Sequence, residues 1–124
     1  MKVKVIGIPV QDQEKALQFY TAKLGFIKKH DTPLGEGNRW LTVVSKDEPD
    51  GVEVLLEPAK TYQKALFDTG IPYTQFNVDD LQEEYDRLVH LGVAFTMKPT
   101  EMANVKIAIL DDTCGNKIQL IKIL

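Results

Sequence analysis

The side chains that could bind or transform a small molecule sit near the ends of apolar runs. Glu57 closes Val52-Glu53-Val54-Leu55-Leu56-Glu57, just before Pro58. A carboxylate there reads either as a strand-end residue half in solvent or as a cavity acid, base or hydrogen-bond acceptor. Glu53 suits a structural or rim position. Tyr73 opens Tyr73-Thr74-Gln75-Phe76-Asn77-Val78 and could pack, stack on a ligand or donate its phenolic proton. Gln119 can both donate and accept, toward a polar ligand or toward a neighbouring side chain. Arg39 and Trp40 start another apolar run. A guanidinium there suits an anionic ligand or a surface salt bridge, and Trp40 suits a core or an interface.

The remaining reactive types are sparse: two histidines and one cysteine. His90 falls in the last turn of a helical stretch, where a cation complements the helix dipole. His30 opens a polar loop, where a solvated ring is expected and a place at a cavity mouth is the alternative. Cys114 lies in a turn with no histidine near it in sequence, which argues against a nucleophile.

Two similar passages would position these residues. Each ends an apolar strand, places an aspartate (Asp12, Asp80), runs a helix, and closes at Leu24-Gly25 or Leu91-Gly92. Aspartate is a good N-cap and glycine takes the left-handed C-cap conformation. Glu83 is spaced for a capping box with Asp80. Around the first passage, strands are expected over 2–10, 26–30, 39–45 and 52–57, with 31–38 as a loop and 46–51 as a turn. Around the second they are expected over 73–78, 93–97, 105–110 and 117–123, with 98–104 as a loop and 111–116 as a turn. A short helix over 60–69, with Tyr62 and Leu66 one turn apart, would connect the units. The fold class is therefore α+β: two tandem βαβββ units, about 1–58 and 71–124, in a single domain of 1–124.

Alternation along the strands sorts their side chains. The face under each helix should carry Ile6, Ile8, Val10, Val52, Val54 and Leu56 in one unit, and Thr74, Phe76, Val78, Ile118 and Leu120 in the other. The opposite face then carries Val3, Val5, Gly7, Glu53, Leu55 and Glu57, and Tyr73, Gln75, Asn77, Lys117, Gln119 and Ile121. If the two sheets curl together, this mixed face lines a cavity.

Composition removes several function classes. A net charge of −3 with scattered basic residues gives no footprint for nucleic acid or an acidic membrane surface. The first residues alternate like a strand rather than forming a signal peptide, and no apolar run approaches a membrane span. One cysteine fits a reducing cytoplasm.

The motif Val10-x-Asp12-x-x-x-Ala16-Leu17-x-Phe19-Tyr20-x-x-x-Leu24-Gly25-Phe26 resembles the opening signature of the vicinal oxygen chelate superfamily. That superfamily includes glyoxalase I, extradiol dioxygenases, and fosfomycin and bleomycin resistance proteins. Val52-Glu53-Val54-Leu55-Leu56-Glu57-Pro58, Val78-Asp79-Asp80-Leu81 and Asp112-Thr113-Cys114-Gly115-Asn116 extend the resemblance over essentially the whole chain. It implies two sheets curled around a cavity and, in the metal-using members, a divalent ion held by His and Glu from the first and last strands of each unit. Those slots fall at about Val5, Glu57, Tyr73 and Gln119, where three depart from the pattern. The expectation is a small-molecule binder without a tightly held metal or other cofactor, a homodimer of the bleomycin-resistance type. The alternative is a glyoxalase-like lyase or isomerase, or a dioxygenase-like enzyme, with an atypical site on Glu57, Tyr73 and Gln119.

Overall fold

The computed structural model describes residues 1–61 and 63–124. Its strands and helices form two βαβββ repeats, as the sequence reads. The first holds β1 (Val5–Val10), α1 (Gln13–Gln18), β2 (Ile27–Gly35), β3 (Asn38–Val44) and β4 (Glu53–Pro58). After a short helix α2 (Lys64–Asp68), the second holds β5 (Thr74–Asn77), α3 (Leu81–His90), β6 (Phe95–Met102), β7 (Val105–Asp111) and β8 (Lys117–Ile123). The chain divides into two compact units after residue 62. Each carries one four-stranded sheet, ordered β1-β4-β3-β2 in the first and β5-β8-β7-β6 in the second. In each sheet the first strand pairs in parallel with the last, and the other pairs are antiparallel.

The two helices are set by the same device. The Asp12 carboxylate accepts the Lys15 amide at 3.0 Å, and that of Asp80 accepts the Glu83 amide at 3.0 Å. Each such cap contributes about 1 kcal/mol. Gly25 and Gly92 both turn the chain at φ +87°, which only glycine adopts without strain. The first passage is one residue longer than the second between cap and glycine. The extra residue is absorbed because α1 runs on as a π-helical turn over Phe19–Lys23. Accordingly the Phe26 amide reaches back to Tyr20, whereas the matching Val93 amide reaches Leu88.

Beneath α1 the core consists of Ile8, Val10, Leu41, Val43 and Leu56, all fully buried, closed by Ala16 and Tyr20. In the second unit α3 packs on β6, β7 and β8, with Leu81 and Leu88 buried against Ile118, Leu120, Ala108 and Leu110. Tyr85 meets Phe95 edge-to-face at 4.7 Å.

Three expectations change. Residues 31–38 are not a loop: β2 continues to Gly35, and Glu36-Gly37 forms a tight hairpin turn with both φ values positive. Residues 98–104 likewise form the end of β6 and a turn at Ala103-Asn104. Both stretches contain a proline, Pro33 or Pro99, which reads as a breaker. Both lie on outer strands, where a missing amide donor is tolerated. The connecting helix is shorter than 60–69, spanning Lys64–Asp68, and the Tyr62 position of that expectation lies outside the described residues. Among the described residues, no helix is long and apolar enough to cross a membrane.

Gln13, the first residue of α1, ties the helix to the sheet. Its amide nitrogen donates to the carbonyls of Arg39 and Leu56, both at 2.7 Å, and its oxygen accepts the Arg39 amide at 3.0 Å. Gln13→Leu preserves the volume but leaves these backbone groups without that partner. Urea denaturation should show a loss of about 2–4 kcal/mol with an unchanged slope; a change below about 0.5 kcal/mol would contradict this role.

Candidate functional site

Each helix covers one face of its sheet, so the other face is where polar groups can meet a ligand. In the first unit the β1–β4 register sets Val5 beside Glu53, Gly7 beside Leu55 and Pro9 beside Glu57. The Glu57 carboxyl leans back across β1 and lies over Gly7: a Cβ at Gly7 would sit 2.8 Å from Glu57 Cδ and Oε1. The glycine is needed here for close approach rather than for its backbone angles. This explains why a residue that weakens a strand stands in the middle of β1.

Glu53 is held by a neighbour absent from the sequence reading. Thr42 is fully buried, and its hydroxyl donates to Glu53 Oε1 at 2.8 Å while accepting the His30 amide at 3.2 Å. His30 Nε2 stands 3.5 Å from the same Glu53 oxygen. His30 is thus not at the start of a loop but inside β2, opposite Thr42. Its side chain is half-exposed. The only sequence signal for Thr42 is a polar residue inside the run Leu41-Thr42-Val43-Val44.

Arg39 and Trp40 are adjacent in β3 and therefore face opposite ways. Trp40 shares the open face with Thr42 and is 38% exposed. Arg39 lies on the helix side. Its guanidinium donates to both Asp31 oxygens, at 3.0 and 2.8 Å, and to Glu14 Oε1 at 2.9 Å. The Asp31 hydrogen bonds raise the Arg39 pKa further. Asp31 is lowered chiefly by its hydrogen bond to Arg39, and Glu14 by hydrogen bonds from Gln18 and then Arg39. Arg39 therefore braces α1 against β2 and β3, and stands apart from Glu57 and Trp40.

In the second unit the open face carries Tyr73 just before β5, Gln75 and Asn77 from β5, and Lys117, Gln119 and Ile121 from β8. Ile107 and Ile109 lie beside them on β7, buried. The backbone amide of Tyr73 donates to the Lys117 carbonyl at 2.8 Å, and the residue is 37% exposed. Gln75 stands directly opposite Gln119, and Gln119 Nε2 donates to Gln75 Oε1 at 2.7 Å. These two residues, with Pro72 and Thr74, line an open depression of about 300 Å³. The Lys117 ammonium sits 4.0 Å from the Phe67 ring centre, a cation–π contact.

The turn leading into β8 is fixed by the buried Asp112. Its carboxylate accepts the amides of Cys114 (2.7 Å) and Asn116 (3.0 Å) and the Asn116 side chain (2.9 Å). Cys114 is buried in this turn, which keeps its sulfur from external reagents.

The register also relates the four positions implied for a metal. Aligned on Asp12 and Asp80, Val5 matches Tyr73. Sheet pairing then matches Glu53 with Lys117, Leu55 with Gln119 and Glu57 with Ile121. Glu57 and Gln119 are thus not equivalent in the repeat, since Glu57 lies one open-face position further along its strand. Val5 offers no donor atom, Tyr73 a phenol, and Gln119 a carboxamide already bonded to Gln75. Glu57 alone is a strong ligand, so these residues do not fit a resident divalent ion. Among the described residues, no three His, Cys, Asp or Glu side chains gather as a metal-binding group.

A family profile described as the Glyoxalase/Bleomycin resistance protein/Dioxygenase superfamily matches residues 2–120. The chain is 56% identical to the uncharacterized protein YurT of Bacillus subtilis (strain 168), over 98% of this chain and 99% of that protein. It resembles the crystal structure of UcmS2 at 33% identity and a TM-score of 0.80, covering 97% of this chain and 96% of the other. It also resembles TnmS3, an antibiotic binding protein from Streptomyces sp. CB03234, at 27% identity and a TM-score of 0.77. That match covers 100% of this chain and 97% of the other.

The Gly7–Glu57 contact is open to direct test. Gly7→Ala should displace the Glu57 carboxyl, read as a shift of its ¹³C resonance. Unfolding free energy should change by less than about 1 kcal/mol, because the end of a flexible side chain gives way. A loss above about 2 kcal/mol that persists in a Glu57→Ala background would place the need for glycine in the strand itself.

Proposed function

The chain belongs to the glyoxalase/bleomycin resistance protein/dioxygenase superfamily, and from that premise we propose that it binds a small organic molecule on the open faces of its sheets without a resident metal ion. One observation carries this reading. Of the positions implied for metal ligands, Val5 has no donor atom, Tyr73 offers a phenol and Gln119 a carboxamide already bonded to Gln75, while apolar residues such as Leu55 and Ile109 lie beside them in their own sheets. A neutral or weakly polar ligand gains from such a surface, because apolar area gives affinity and a few placed polar groups give orientation. The description of TnmS3 as antibiotic binding supports the same class of activity here. The protein is proposed to work as a homodimer in a reducing cytoplasm, where the lone Cys114 remains a thiol.

A second reading, a metal-free lyase or isomerase, rests on the His30–Glu53–Thr42 cluster. Thr42 fixes the Glu53 carboxylate, which can orient the His30 ring through Nε2 and leave Nδ1 to take a proton from a bound substrate. Glu53 would then stabilise the imidazolium that forms.

The test is a thermal-shift screen of small aromatic and heteroaromatic compounds in EDTA, followed by mass spectrometry of the recovered ligand. A ligand at about a hundred times its Kd should raise Tm by about 10 °C, in EDTA as without it, and be recovered unchanged. A shift seen only with a divalent ion would overturn the metal-free reading. Turnover lost in His30→Ala would decide for the enzyme. Sedimentation at micromolar concentration should give a dimer, and a monomer would count against the proposed assembly.

A further inference from the structure

We propose that the paired carboxamides of Gln75 and Gln119 bind a neutral lactam ring, a ligand in which an N–H stands beside a C=O. The proposal rests on the metal-free binding reading and names the chemistry its second-unit face would recognise.

A carboxamide has two donor hydrogens and two acceptor lone pairs. The single bond between Gln119 Nε2 and Gln75 Oε1, 2.7 Å long, uses one valence on each atom. Each bonded atom therefore keeps one more, so a donor and an acceptor stand side by side at about the spacing of a cis-amide edge. Exchanging N and O in both side chains reverses the bond and swaps the free donor and acceptor, but still leaves one of each side by side. The backbone holds the pair in register, since Gln75 and Gln119 are direct partners in the parallel β5–β8 ladder.

The surroundings select a neutral ligand. Pro72, Thr74, Gln75 and Gln119 line the depression, and none of them ionises. The nearest cation on the same strand face, Lys117, is drawn onto the Phe67 ring. The Pro72 ring supplies an apolar surface for a flat heterocycle. Because β5 is the outer strand of its sheet, the depression opens at an edge where a planar ring can enter.

The test titrates the full chain with 2-quinolone and with N-methyl-2-quinolone, which keeps the ring and carbonyl but lacks the donor. Calorimetry should show about tenfold weaker binding for the methylated compound, the factor that one net hydrogen bond supplies. The side-chain amide resonances of Gln75 and Gln119 should shift with 2-quinolone. Gln119→Met, checked for folding by circular dichroism, should abolish the discrimination. Equal binding of the two compounds, or unmoved amide resonances, would overturn the proposal. If Gln119→Met does not fold, the methyl comparison in the wild-type chain still decides. Should other compounds bind in EDTA while the quinolone pair is not discriminated, this proposal falls and the metal-free reading stands. If every ligand requires a divalent ion, it is that reading which falls.

Discussion

One constraint governs both units: a single helix covers one face of a four-stranded sheet, and strand geometry commits alternate residues to opposite faces. Ile8, Val10, Leu56, Ile118 and Leu120 must go under the helices, so Gly7, Glu57, Gln75 and Gln119 must not. The polar residues on the open faces follow from where the apolar ones are needed. The aspartate and glycine at the two ends of each helix fix which residues those are. A slip of one residue would exchange the faces.

The two copies show what this constraint leaves free. Cap, C-terminal glycine, strand order and the parallel first-to-last pairing are the same in both. The inserted residue in the first copy is confined to one π-helical turn and does not reach the sheet. On the first and last strands, by contrast, the matched open-face positions share no residue: Gly7 and Glu57 stand in one unit, and Gln75 and Gln119 in the other. A scaffold whose stability rests on the helix side can change its ligand chemistry on the other side at little cost to folding.

Much of this was legible in the residue order. Asp12, Gly25, Asp80 and Gly92 marked the helices, and alternation placed Glu57 and Gln119 on the open faces. The misread stretches are 31–38 and 98–104, each holding a proline that reads as a breaker, the first with two glycines as well. Tolerance of proline depends on being an outer strand, and strand order is a property of the whole sheet. Gln13 and Thr42 were not legible for a different reason. Gln13 binds backbone groups 26 and 43 residues away, and Thr42 serves Glu53 across a hairpin, so nothing local distinguishes them. For Arg39 the residue order leaves an anionic ligand and a surface salt bridge open, and β2 decides for the salt bridge by bringing Asp31 against it.

We propose that these open faces recognise ligands by hydrogen bonding and apolar contact in place of metal chelation. Elemental analysis of protein purified without chelator measures that claim directly. The prediction is far less than one equivalent of zinc, nickel, iron or manganese per chain, with Tm unchanged by EDTA. A stoichiometric divalent ion that survives dialysis, with a lower Tm once it is stripped, would contradict it.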